Sequence, residues 1–174
     1  MDVKDAIVNR KSVRKYLERE VPMEVLKELI EAARLAPSGN NAQPWMFKIV
    51  IESTQKEKLR TNEVFKQNFV YNSPVIIVCC ANPEAYPRAK FEPDFDDSFE
   101  IRAIRDLSIA SQNLVLRATE LGLGTCYVGW LNKKKIKEVL EIPGKYKVPY
   151  VITVGYPEGQ PKQSIRKSLK DLLL

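Results

Sequence analysis

One uninterrupted apolar run constrains the fold more than any other feature of this sequence. Residues 75–81, Val-Ile-Ile-Val-Cys-Cys-Ala, follow directly after Pro74. A run of this length without polar alternation is typical of a strand that is buried on both faces of its sheet. The chain has 174 residues, of which 44% are hydrophobic and 29% charged, which is ordinary for one globular domain with a sizeable core.

Helical and strand patterns flank this run on both sides. The predicted helices cover residues 2–9, 22–36, 54–70, 104–121 and 132–140, and the other predicted strands cover residues 45–51, 125–131 and 150–154. No repeat or linker divides the sequence, so residues 1–174 are expected to form a single domain. Residues 82–98 show no periodicity and are expected to form a long loop, of a kind that often covers a site. The aromatic residues Tyr86, Phe91 and Phe95 of this loop, with Phe99 just beyond it, are interpreted either as substrate contacts or as anchors of the loop.

The chain contains no histidine, which excludes Ser-His-Asp, Cys-His and His-zinc chemistry. Its three cysteines, Cys79, Cys80 and Cys126, form no C-x-x-C pair, so no metal site is expected. No catalytic side chain can be named. The sequence therefore predicts that a bound cofactor carries the chemistry of any enzymatic reaction.

The net charge of +6 is concentrated at the two ends of the sequence. Residues 1–16 contain five basic and two acidic residues, a net charge of +3. Residues 160–174 contain four basic residues and one acidic residue, again a net charge of +3. If the fold joins these ends they form one anion site, and otherwise they are two solvated basic tails. A basic module that binds nucleic acid is the rival interpretation, but it is disfavoured because the aromatic residues lie in an acidic loop. No apolar run would span a membrane, and a cytoplasmic protein without membrane partners is expected.

Three separated segments carry residue types suited to ligand binding. The first, Arg10-Lys11-Ser12-Val13-Arg14, combines guanidinium groups with a hydroxyl and suits a phosphate, although a solvated helix end would also explain it. The second, residues 37–45 (PSGNNAQPW), places amide and hydroxyl side chains in a turn, where they could read the edge of a heteroaromatic ring or simply end a helix. The third, residues 122–130 (GLGTCYVGW), is a weak dinucleotide signal by itself.

The order of these segments, together with the basic C-terminus, resembles the FMN-dependent nitroreductase family over residues 7–172. This resemblance implies an α+β fold in three layers, with a central mixed, mainly antiparallel sheet flanked by helices. It also implies a homodimer of the domain-swapped type, with FMN at the interface and each site built from both chains.

The resemblance also assigns cofactor-binding residues. Four residues of the first segment match the family's first FMN-binding segment: Arg10, Lys11, Ser12 and Arg14. The first and last of these basic residues and the serine would contact the FMN phosphate and the pyrimidine edge of the ring. Lys11 stands where a second arginine is more common. The partner subunit would supply residues along the ring and the ribityl chain: Pro37, Ser38, Gly39, Asn41 and Gln43. Backbone groups near flavin N5 and O4 would come from Cys126, Val128 and Gly129, and the phosphate would be closed over by Arg166 and Lys167.

The implied activity is ping-pong hydride transfer from NADH or NADPH to FMN N5, and then to a nitroaromatic, a quinone or a similar small acceptor. Arg14 is the candidate for stabilising negative charge near N1 and O2 of the ring. Relatives that dehalogenate aromatic substrates reductively, relatives that process the flavin itself, and a non-catalytic FMN-binding protein remain alternatives.

Overall fold

The computed structural model describes residues 1–87, 98–159 and 161–174. Five helices and four strands are found among them. The helices are α1 (Val3–Asn9), α2 (Met23–Arg34), α3 (Ser53–Thr61), α4 (Phe99–Glu120) and α5 (Lys133–Val139), and the strands are β1 (Trp45–Val50), β2 (Val75–Ala81), β3 (Gly124–Val128) and β4 (Lys147–Gly155). The strands form one antiparallel sheet in the order β1-β2-β4-β3.

Every residue of β2 is buried, as the apolar run predicts. One face of the sheet is covered by α2 and α4, whose Leu26, Leu29 and Leu107 are fully buried. The opposite face is covered by α3 and α5 through Leu59 and Ile136. The predicted three layers are therefore confirmed. Among the described residues, the parallel part of the predicted mixed sheet consists of one bridge, between Ser12 and Thr125.

Local side-chain chemistry sets several helix starts. Asp2 accepts a hydrogen bond from the Asp5 N–H at 2.7 Å and caps α1, while Asn132 accepts from the Lys134 and Lys135 N–H groups and caps α5. Pro22 precedes α2 as its cap residue, whereas the sequence pattern places it in the first turn.

Four predicted boundaries are wrong. The helix predicted from residue 104 begins at Phe99, and the strand predicted from residue 150 begins at Lys147. The helix expected over residues 54–70 ends at Thr61, because the backbone turns into the left-handed region at Glu63 (φ 50°) and buries Val64 and Phe65. The strand expected to reach residue 131 ends at Val128, where its pairing with β4 stops at Val151.

Apolar side chains are exposed at two places on the surface. In α1 only Ala6 is buried, whereas Val3 and Ile7 are 73% and 57% exposed. In the C-terminal tail (residues 161–174), Ile165 is 99% exposed and Leu169 79%. Among the described residues, no helix combines the length and the apolar character needed to cross a membrane.

Candidate functional site

The basic segment (residues 10–14) lies along the free edge of β3. The Val13 N–H donates to the Thr125 carbonyl oxygen at 2.9 Å, and Ser12 bridges to Thr125. This approach depends on Gly124, because a β-carbon there would lie 2.5 Å from Val13 Cγ2. Gly124 of the third segment therefore allows the basic segment to pack closely against β3.

This pairing gathers charged and polar groups around Cys126. The thiol is 3% exposed, and its burial raises its pKa, while Arg14, the Ser12 hydroxyl and Arg10 act in the opposite direction. The Arg14 guanidinium also lies 6.0 Å from the centre of the Phe69 ring. The structure thus brings the basic segment and β3 together, and it adds Phe69, which sequence reasoning missed because no motif surrounds it.

The donor set of the basic segment suits a phosphate. Arg10, Lys11 and Ser12 are half-buried and Arg14 is exposed. Within the described part of the chain, no carboxylate forms a salt bridge with Arg10, Lys11 or Arg14. Arg10, Arg14 and the Ser12 hydroxyl lie near the Cys126 thiol, and Lys11 adds an ammonium group to the same segment. Such a donor set without an acidic partner in the described chain can accept a dianionic ligand by charge-assisted hydrogen bonds.

The second segment forms a turn, which we name the asparagine turn (residues 37–43). Three of its residues adopt left-handed backbone: Asn40 (φ 53°), Asn41 (φ 52°) and Gln43 (φ 47°). Each left-handed residue costs on the order of 1 kcal/mol of conformational free energy relative to an ordinary backbone conformation. The turn therefore needs stabilising contacts to keep this shape. Part of that support is internal, since Ser38 Oγ accepts from the Gln43 N–H at 2.9 Å and Gln43 Nε2 donates to the Asn41 carbonyl oxygen at 3.2 Å.

Further support comes from Asp106 on α4. This carboxylate is 4% exposed, and its Oδ2 accepts from both the Gly39 N–H at 2.8 Å and the Tyr86 hydroxyl at 2.7 Å. Burial and the neighbouring Asp106 raise the pKa of Tyr86, so this phenol remains a donor. Sequence reasoning missed Asp106. A signal was present, because it is an acidic residue on the apolar face of α4, between Ala103 and Leu107.

The basic segment and the asparagine turn lie at diagonally opposite corners of the sheet. The turn leads into Trp45 of β1, opposite Ala81, whereas Thr125 of β3 pairs with Val154 at the other end of the sheet. Three strand spacings of about 4.8 Å and six residues at about 3.3 Å give a separation of roughly 24 Å. Along α4, Asp106 contacts the turn and Thr119 lies near Lys11 and Val13 of the basic segment. The 13 residues between these two positions give about 20 Å.

The remaining predicted residues are placed as follows. Val128 is buried, and around Gly129 a β-carbon would meet nothing within 4 Å. The tail contacts the start of the chain through Gln163, whose Nε2 donates to the Val8 carbonyl oxygen at 3.1 Å. Arg166 donates to the Ser164 carbonyl oxygen within the tail, and both Arg166 and Lys167 are exposed. The expected closure of these two residues over a phosphate therefore remains a prediction.

The loop expected over residues 82–98 is described only at its two ends. Tyr86 is 3% exposed and stacks on Phe99 at 6.1 Å between ring centroids, which supports the anchor interpretation for this pair. Phe91 and Phe95, and with them the predicted substrate-covering part of the loop, lie outside the described residues.

Comparison with known proteins adds three findings. The nitroreductase family matches residues 7–63 and 51–156 of this chain. A Methanothermobacter thermautotrophicus protein, provisionally named NADH dehydrogenase/NAD(P)H nitroreductase, is 35% identical over 170 residues, or 92% of this chain and 80% of that protein. The Bacillus subtilis FMN reductase [NAD(P)H] is 28% identical over 170 residues, covering 90% of this chain and 66% of that protein.

The fold comparison agrees with the sequence comparison. A crystal structure of a nitroreductase family protein from Clostridium difficile 630 superposes with a TM-score of 0.86 and 25% identity, covering 100% of this chain and 98% of that chain. The α+β fold expected from the sequence is therefore the fold of this group of proteins.

Proposed function

Because this chain belongs to the nitroreductase family, we propose that it is an FMN-dependent oxidoreductase that uses NADH or NADPH to reduce a nitroaromatic, a quinone or a similar small acceptor. The observation that carries the proposal is the basic segment held on β3, which places Arg10, Ser12 and Arg14 near Cys126. In the described chain, no carboxylate forms a salt bridge with either guanidinium group. When bound, FMN would supply the redox chemistry, since its ring can accept a hydride from the nucleotide and then pass the electrons to the acceptor.

The residues of this chain would bind and orient the cofactor. Arg10, Lys11 and Ser12 would hold the phosphate, with Arg166 and Lys167 closing over it. Arg14, whose guanidinium lies 6.0 Å from the centre of the Phe69 ring, would present a fixed cation where negative charge develops on the flavin ring. Backbone groups of Cys126, Val128 and Gly129 would face the reactive edge. No side chain is required as a general acid or base.

The separation of the two ligand-binding segments supports a site made from two chains. The asparagine turn lies roughly 24 Å from the basic segment of its own chain, by strand spacing and residue rise. We therefore propose a homodimer in which the turn residues of one subunit, Ser38, Asn41 and Gln43 among them, reach the flavin held by the basic segment of the other. The exposed apolar side chains of α1 and of the tail fit burial against this second subunit.

The visible spectrum of the purified protein tests this function directly. We expect flavin absorption bands that bleach when NADH or NADPH is added anaerobically, and that return when a nitroaromatic or a quinone is supplied. Free FMN at the same concentration is the control for uncatalysed reduction. Bands that neither nucleotide bleaches would instead support a non-catalytic flavin-binding protein, and a protein that FMN neither colours nor stabilises would overturn the proposal.

A further inference from the structure

We infer that Asp106 is a positioning residue, which holds the asparagine turn in the conformation that meets the flavin of the partner subunit. This inference deepens the proposed function and rests on it. Asp106 would not touch the flavin, since its Oδ2 contacts the Gly39 N–H and the Tyr86 hydroxyl.

The first reason is the position of the hydrogen bond in the turn. Gly39 directly precedes Asn40 and Asn41, both in left-handed backbone, and the bond from its N–H to Asp106 attaches this point of the turn to α4. The hydrogen bonds inside the turn join Ser38, Asn41 and Gln43 to one another and do not fix the turn to the rest of the fold. The Asn82 N–H fixes the chain directly after the turn, at the Pro44 carbonyl oxygen, and Asp106 fixes its middle. Asp106 therefore helps to determine where the exposed amide side chains lie relative to the sheet.

The second reason is the environment of the carboxylate. Asp106 is 4% exposed, with Arg105 Nε 3.8 Å from its Oδ1. The Arg102 guanidinium lies over the Tyr86 ring at 4.8 Å and packs beside Gly39. A buried carboxylate must be offset by hydrogen bonds and nearby cations, and here those partners include the turn itself. Loss of the carboxylate would therefore release the turn and Tyr86 together.

The experiment compares Asp106→Ala and Asp106→Asn with a matched control, Ser111→Ala. Ser111 is also buried on α4, and its hydroxyl forms a hydrogen bond with the Tyr150 hydroxyl at 3.0 Å that the alanine variant loses. In the described structure no hydrogen bond joins Ser111 to the turn. The readouts are the Kd of FMN, the visible circular dichroism of bound FMN, and the hydrogen exchange rate of the Gly39 amide in flavin-free protein. All are measured below the unfolding transition of each variant.

We expect D106A to raise the Kd of FMN about tenfold or more, to change the dichroism of the bound flavin and to speed exchange at Gly39 at least tenfold. The asparagine oxygen can still accept from both Gly39 and Tyr86, but it carries no charge, and the amide NH2 group then faces Arg105. D106N should therefore produce a shift of about threefold in the same direction. S111A should lower the melting temperature. It should leave the Kd of FMN and the Gly39 exchange rate within about twofold of the wild type, and the dichroism of bound FMN unchanged.

If D106A does not fold, the comparison of D106N with S111A decides the matter. The inference is overturned if D106N matches S111A in Kd, dichroism and Gly39 exchange. A wild-type protein that binds no FMN overturns the proposed function instead, and the Gly39 exchange rates then still establish whether Asp106 holds the turn.

Discussion

Val13 occupies the space that a side chain on residue 124 would need. A β-carbon at Gly124 would stand 2.5 Å from Val13 Cγ2 and 2.7 Å from Val13 Cβ, both closer than side-chain atoms pack. Through this contact the basic segment packs against β3, and the packing fixes where Ser12 and its basic neighbours lie relative to Cys126.

Gly124→Ala should therefore lower the free energy of unfolding by about 1–3 kcal/mol and weaken FMN binding, because the basic segment must move away from β3. Gly144→Ala is the control, since a β-carbon at Gly144 would meet nothing within 4 Å. Adding Val13→Ala to the first variant removes the two Cγ contacts but keeps the Cβ contact at 2.7 Å, so it should recover only part of the lost FMN affinity. Urea unfolding and FMN titration measure both effects, and equal results for the two glycine variants would refute this account of the contact.

Arg10→Ala and Arg166→Ala should each raise the Kd of FMN by about tenfold or more, because each variant loses a charge-assisted bond to the phosphate. Arg34→Ala provides a matched control, since Arg34 is exposed and paired with Glu31 at 2.6 Å on α2. Quenching of flavin fluorescence at constant ionic strength gives the Kd values. If both variants bind FMN as tightly as the control does, these residues do not hold the phosphate.

Arg14→Ala should leave FMN partly bound, lower the reduction potential of the flavin and slow its reduction by NADH or NADPH. The physical reason is the loss of a fixed cation beside the part of the ring where negative charge develops. Redox titration of the FMN-saturated variant measures the potential, and Lys15→Ala controls for the general loss of one positive charge. A potential equal to that of the wild type would remove the role assigned to Arg14.

Two inactive variants should restore activity when their subunits are exchanged. If each site takes its basic segment from one chain and its asparagine turn from the other, a heterodimer of R10A/R14A with N41A/Q43A contains one intact site and one doubly damaged site. Random exchange should then recover about a quarter of the wild-type activity. No recovery, in a mixture in which mass spectrometry shows heterodimers, would mean that both segments of a site come from one chain.

Stability should fall as the pH rises above about 9, the range in which exposed thiols ionise. Burial raises the pKa of the Cys80 thiol to about 11 and that of Cys79 further. Between pH 9 and 11 the unfolded chain has lost these protons while the folded chain keeps them, so ionisation favours unfolding by about 1.4 kcal/mol per pH unit for each thiol. Below pH 9 this contribution to stability is fully present.

Urea unfolding at pH 8, 9 and 10 tests this expectation, and Cys80→Ala should reduce the slope of stability against pH. The native thiols should also resist labelling by a thiol reagent until the protein unfolds, because all three cysteines are buried. Equal stability at pH 8 and pH 10 would show that the thiols ionise alike in the folded and unfolded chains.

The sequence by itself determined the parts of this protein that depend on neighbouring residues. The apolar run at residues 75–81 is β2, the cap at Asp2 starts α1, and the cap at Asn132 starts α5. Each of these is specified by side-chain spacing or by a hydrogen bond within three residues, and such signals are visible in the chain itself. The order of the three segments likewise placed the chain in its family.

Only the tertiary structure decided which distant residues meet. Three contacts join residues that are 55 to 111 positions apart in the sequence. They are the packing of Val13 on Gly124, the approach of Phe69 to Arg14 and the hydrogen bond from Gly39 to Asp106. Neither Phe69 nor Asp106 lies in a recognisable motif. The same holds for the sheet order, which puts the basic segment and the asparagine turn at opposite corners. These contacts follow from how helices and strands bury their apolar faces together, and no local pattern encodes that choice.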